Sequence, residues 1–103
     1  MREYNKLVRD KILKILKIQR KGYKYHIADA NEYREKVYEK LQEEILEFQE
    51  NPCVEEMADI MEVLNAIAKF NNIDLKKVEI KRHDKRYERG AFFSRIILEK
   101  AEE

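Results

Sequence analysis

Residues Glu43–Val63 read EEILEFQENPCVEEMADIMEV, and this stretch decides the fold. Proline cannot continue a helix but is tolerated in the first turn of one. Asn51-Pro52 therefore predicts a tight turn, with one helix ending near Gln49 and the next starting near Pro52. Glu47 and Glu56 stand equally far from that turn, and so do Glu44 and Asp59. In an antiparallel hairpin, equal distance from the turn means equal height. The i,i+3 pairs Glu44/Glu47 and Glu56/Asp59 are thus placed to form a square of four carboxylates.

Helical periodicity says where the square points. At about 100° per residue, Glu56 and Asp59 fall on the stripe that Val63, Ala66, Ile67 and Phe70 continue. Glu44 borders the stripe of Val37, Leu41, Ile45 and Phe48, with Glu47 further round. Glu43, Glu50, Glu55 and Glu62 are expected on the solvated side. Acids on an inward face repel one another and resist desolvation. A divalent cation removes that conflict, and oxygen-only ligands suit Mg²⁺ or Mn²⁺. The competing reading is a solvated acidic face, the ordinary outcome in a chain whose residues are 42% charged.

The remaining chain adds elements around the hairpin. Residues 5–19 carry an apolar stripe of Leu7, Val8, Ile12, Ile15 and Leu16, which predicts a helix stopped by Gly22. Tyr23, Tyr25 and Ile27 alternate with Lys24 and His26, and Phe92–Leu98 is rich in strand formers. These two segments predict a two-stranded β-ribbon. Asp29 or Asn31 can cap the second helix, Asn71-Asn72 ends the third, and Asp74 and Gly90 bracket a fourth over Leu75–Arg89. The expected fold class is mainly α: an antiparallel bundle of about four helices with that ribbon, one domain over 1–103. Apolar stripes on three helices plus Phe92, Phe93, Ile96 and Ile97 exceed what so short a chain can cover, which predicts a homo-oligomer, a dimer or tetramer.

Charge is segregated although the net charge is only +1. Residues 1–24 hold nine Lys/Arg and two acids, residues 31–62 eleven acids and three bases, residues 76–89 seven bases and three acids. That order suits a ligand needing both a cation and phosphate-binding bases. It suits nucleic acid less, where net basicity is the rule. The single Cys53 excludes an internal disulfide and reads as a small packing residue in a reducing cytosol. MREYNK is no signal peptide and no apolar run reaches membrane length, so a cytoplasmic protein away from membranes is expected. His26 and His83 lack zinc-ligand spacing, there is no Glu-x-x-His pair, and two glycines make no phosphate loop.

EEILE followed by EEMADIMEV resembles the acidic signature of the MazG-like all-α nucleotide pyrophosphohydrolases, an E-x-x-E pair on one helix and E-x-x-D on the next. The opening YNKLVRDKI and the ending RGAFFSRIIL resemble the phosphoribosyl-ATP pyrophosphohydrolase-like branch. The resemblance implies Mg²⁺-dependent cleavage of a nucleoside triphosphate, or a phosphoribosyl-ATP-like nucleotide, to monophosphate and pyrophosphate, as in the house-cleaning of non-standard nucleotides. It places metal ligands on Glu44, Glu47, Glu56 and Asp59; a carboxylate not saturated by metal can take the proton of an attacking water, and Glu47 is the expected one. It makes Lys6, Arg9 and Arg89 candidates for the substrate phosphates. Only eight residues separate Glu47 from Glu56, short for such proteins, so base and sugar stay open. The reading from another class is a non-catalytic helical interaction or regulatory module. A third is a nucleic-acid binder using residues 1–24 and 76–89.

Overall fold

Two of the three long helices begin where a short acid caps them. A computed structural model describes residues 2–102 and contains α1 (Ile12–Ile18), α2 (Ala30–Glu50), α3 (Val54–Phe70) and α4 (Leu75–Arg89). Asp29 accepts a bond from the Glu32 amide at 2.8 Å and starts α2. Asp74 accepts from the Lys76 amide at 2.9 Å and starts α4. Such caps satisfy amides that the first turn leaves free. Asn72 (φ 55°) and Gly90 (φ 86°) follow α3 and α4 in the left-handed region that ends helices. The mainly helical expectation therefore holds.

Helices α2 and α3 pack against each other as the expected hairpin. Pro52 lies in the connection, outside the helix it was expected to open, and Cys53 stands at the N-cap position of α3 without a side-chain hydrogen bond to it. Asn51 is pushed to φ −143°, as a residue before proline is. Cys53 is exposed, not packed. At the far end the Tyr33 ring of α2 meets the Phe70 ring of α3 edge-on at 5.2 Å, and Arg34 lies over the same ring.

Three expectations are corrected. The N-terminal helix covers only Ile12–Ile18; Asn5 turns left-handed (φ 46°), and Lys6 and Arg9 leave helical register to reach acids on α2 and α3. Its stop comes before Gly22: Arg20 is left-handed (φ 57°), and the Lys21 amide returns to the Leu16 carbonyl at 3.0 Å. No strand forms among the described residues. A ladder needs a partner edge, and Arg95 (φ 61°) breaks the extended run of Phe92–Leu98.

The chain divides into two compact units, Met1–Asn72 and Ile73–Glu103. The first holds the hairpin. In the second, α4 is exposed along its length and the Arg86 guanidinium lies over the Phe93 ring at 5.6 Å. No helix is long and apolar enough to cross a membrane among the described residues.

Candidate metal centre

Glu44 occupies a position that hydrophobic patterning reserves for an apolar side chain. It lies seven residues after Val37, two helical turns along the same face. Val37 is 1% exposed and Glu44 6%, while Ile45 is 40% exposed. The sequence reading had Ile45 on the inward stripe and Glu44 at its border; the fold exchanges them. On α3, Glu56 and Asp59 are half-buried on the stripe that Val63, Ile67 and Phe70 continue, as expected.

The hairpin brings three of the four acids together. One carboxylate oxygen from each of Glu44, Glu56 and Asp59 lies within 4.8 Å of the other two. Glu47 is outside this triangle and exposed, although it neighbours Glu44 closely enough to act on its proton.

The electrostatics of this triangle are unbalanced. Burial raises the Glu44 carboxyl above its ordinary value, Glu47 raises it further, and Lys40 at 3.4 Å offsets only part of this. Burial also raises Glu56, with Asp59, Glu44 and Glu55 adding repulsion. Glu44 Oε2 and Glu56 Oε2 are buried and have no hydrogen-bond partner. Buried carboxylate oxygens without donors are costly. Asp59 accepts a hydrogen bond from Arg9 Nη2 at 2.7 Å.

The bases surround the triangle. Lys6 Nζ lies 3.0 Å from Glu43 Oε1, and Lys40 bridges Glu43 and Glu44. Glu43 is therefore half-buried and not on the solvated side as expected. Burial pushes its carboxyl up, but Lys6 and Lys40 outweigh that and hold it below its ordinary value. A small cleft is lined by Lys6, Leu7, Lys36, Glu39, Lys40 and Glu43. Lys40 went unnoticed in the sequence, where its i,i+3 and i,i+4 spacing to Glu43 and Glu44 was the available signal. Arg89 is exposed at the last position of α4, in the second unit.

The donor set fits a hard divalent cation. It is all oxygen, two of its carboxylate oxygens lack donors, and its members come from facing helices. Comparison of the chain with models of known protein families, with curated proteins and with solved structures gives no match.

Proposed function

We propose that the chain is a nucleotide pyrophosphohydrolase of the MazG-like kind, dependent on Mg²⁺ or Mn²⁺ and working as a homo-oligomer in the cytoplasm. Its substrate class is a nucleoside triphosphate or a phosphoribosyl-ATP-like nucleotide, cleaved to monophosphate and pyrophosphate. The observation that carries this reading is the cluster of Glu44, Glu56 and Asp59, in which Glu44 Oε2 and Glu56 Oε2 are buried without donors. The acidic and terminal motifs quoted above supply the reaction type by resemblance.

Glu44, Glu56 and Asp59 would hold the cation, with Glu47 the fourth ligand by resemblance. When bound, the cation neutralises phosphate charge and makes a nearby water more acidic. Glu47 would take the proton of the attacking water as the water oxygen bonds to the α-phosphorus. The bond from that phosphorus to the bridging oxygen breaks, and pyrophosphate leaves with its electron pair. Lys6 and Arg9 turn from Glu43 and Asp59 to the phosphates, Arg9 through its planar fork and Lys6 as a point charge.

A second reading is a non-catalytic interaction or regulatory module, favoured by one observation: Lys6 and Arg9 are both already engaged with acids. A panel of NTPs, dNTPs and phosphoribosyl-ATP with Mg²⁺, scored for pyrophosphate, tests the proposal. Turnover that Glu56→Gln abolishes and Glu55→Gln preserves is expected. No pyrophosphate from any member of the panel favours the module.

A further inference from the structure

Lys40 reaches two acids at once. Its Nζ lies 3.3 Å from Glu43 Oε2 and 3.4 Å from Glu44 Oε1. The Lys40 side chain is 18% exposed and that of Glu44 8%. A lysine four residues before a glutamate is the weaker order for a surface pair on a helix, and this pair lies mostly below the surface. Glu43 is anchored in turn by Lys6 Nζ at 3.0 Å. A chain of alternating charge, Lys6–Glu43–Lys40–Glu44, thus ends on the most buried acid among the described residues. It leaves the two oxygens of Glu44 unequal: Oε1 faces the ammonium, and Oε2 is buried without a donor.

We propose that Lys40 is a positioning residue that decides which cation the triangle takes: by holding Glu44 Oε1 it makes Glu44 a one-oxygen ligand through Oε2, and so favours Mg²⁺ or Mn²⁺ over Ca²⁺. Coordination geometry gives the reason. Mg²⁺ demands a near-octahedral shell at about 2.0–2.1 Å, whereas Ca²⁺ takes about six to eight oxygens at about 2.3–2.6 Å and gathers them partly through carboxylates that give both oxygens. Mn²⁺ shares the octahedral preference. Glu44, Glu56 and Asp59 giving one oxygen each supply half an octahedron. Water and phosphate oxygens complete it. Freeing Oε1 lets Glu44 chelate with both oxygens, which suits the larger ion. A lysine that only balanced charge would act differently: its loss would strengthen both ions alike, since both carry the same charge. The ratio of the two affinities therefore separates orientation from charge. This role rests on the cation site proposed above and adds to it the residue that selects the ion.

Calorimetry on the full, metal-free chain with Mn²⁺ and with Ca²⁺ provides the test. The wild type should bind Mn²⁺ more tightly than Ca²⁺. Lys40→Met keeps the stem without the ammonium and should shrink that preference roughly tenfold or more, the usual scale for removing a group that orients a ligand. Lys40→Arg keeps a cationic donor and should keep the preference. Lys36→Met removes a neighbouring lysine that pairs with Glu39 at 3.3 Å, and it should keep the preference too. Far-UV circular dichroism checks the fold of each variant. Where Lys40→Met does not fold, Lys40→Met with Glu43→Gln takes its place, because it leaves no unpaired acid at position 43, and the same shrinkage is expected. An unchanged ratio on loss of Lys40, or an equal change in Lys36→Met, overturns the role of Lys40 and leaves the catalytic reading standing. A wild type that binds neither ion overturns the cation site itself, and this role with it.

Discussion

A carboxyl in place of a core leucine destabilises a fold unless something else neutralises it, and Glu44 is that carboxyl. Burial first, then Glu47, raises it above 4.5. A group raised in the folded state contributes stability fully below its unfolded value, and that contribution is lost as pH climbs through the folded value. Glu44→Gln keeps the shape and removes the titration. Without metal, its melting temperature should match wild type below about pH 4.5 and exceed it by a few degrees at pH 7, the gap opening above 4.5. Excess Mg²⁺ at pH 7 should reverse the order. Thermal melts with EDTA and with Mg²⁺ measure both, and an equal melting temperature at all pH values sinks the inward-charge reading. Arg9 gives a prediction of opposite signs. Arg9→Ala removes an exposed pair worth about 0–1 kcal/mol, and it frees Asp59. Calorimetry should find Mn²⁺ bound several-fold tighter and nucleotide bound more weakly; weaker binding of both contradicts the proposed exchange. Of these residues, Glu56 and Asp59 were legible because they sit on an unbroken apolar stripe. Glu44 and Ile45 were misplaced because neighbouring positions differ by 100°, and the acid was assumed to take the outer one.

Helices were legible where local chemistry and packing agree. α2, α3 and α4 lie within two residues of their expected bounds, because Asp29, Asp74, Asn72 and Gly90 have caps and stops whose effects are local. The N-terminal helix was not legible, because its first half is decided by ion pairs to residues distant in sequence. A helix of seven residues has little stability of its own. It ends at an arginine in the left-handed region, where a Cβ is strained. Arg20→Gly should therefore stabilise the protein by roughly 0.5–1 kcal/mol, read by urea titration, whereas Gly22→Ala should change little. Asp29→Ala removes the cap of the longest helix and should cost about 1 kcal/mol. If Arg20→Gly destabilises, the two bonds that close α1 at Arg20 and Lys21 are not what ends it. The strands failed for a related reason: alternation and β-branched residues describe a segment able to pair, and pairing needs an edge.

At the scale of the whole chain, cation binding and folding are linked, because the acids of α2 and α3 meet only when the hairpin is closed. The unfolded chain offers scattered carboxylates and binds a cation weakly. A ligand that binds the native state alone stabilises it by about 2.7 kcal/mol at a hundredfold excess over its dissociation constant. Glu44, Glu56 and Asp59 all belong to the unit Met1–Asn72, and α4 to Ile73–Glu103. The gain should therefore appear where the ligands are. Native-state hydrogen exchange with and without Mg²⁺ reports this residue by residue. Amides of α2 and α3 that exchange by opening the hairpin should slow roughly a hundredfold, by the same linkage relation. Amides of α4 should slow far less. Glu56→Gln should erase the difference in α2 and α3, and Glu55→Gln should not. Uniform slowing in all helices would point to non-specific screening of the acidic segment by the salt, since screening has no preferred unit. No slowing in α2 or α3 at millimolar Mg²⁺ means that the unpartnered oxygens of Glu44 and Glu56 are protonated in the resting protein and hold no cation.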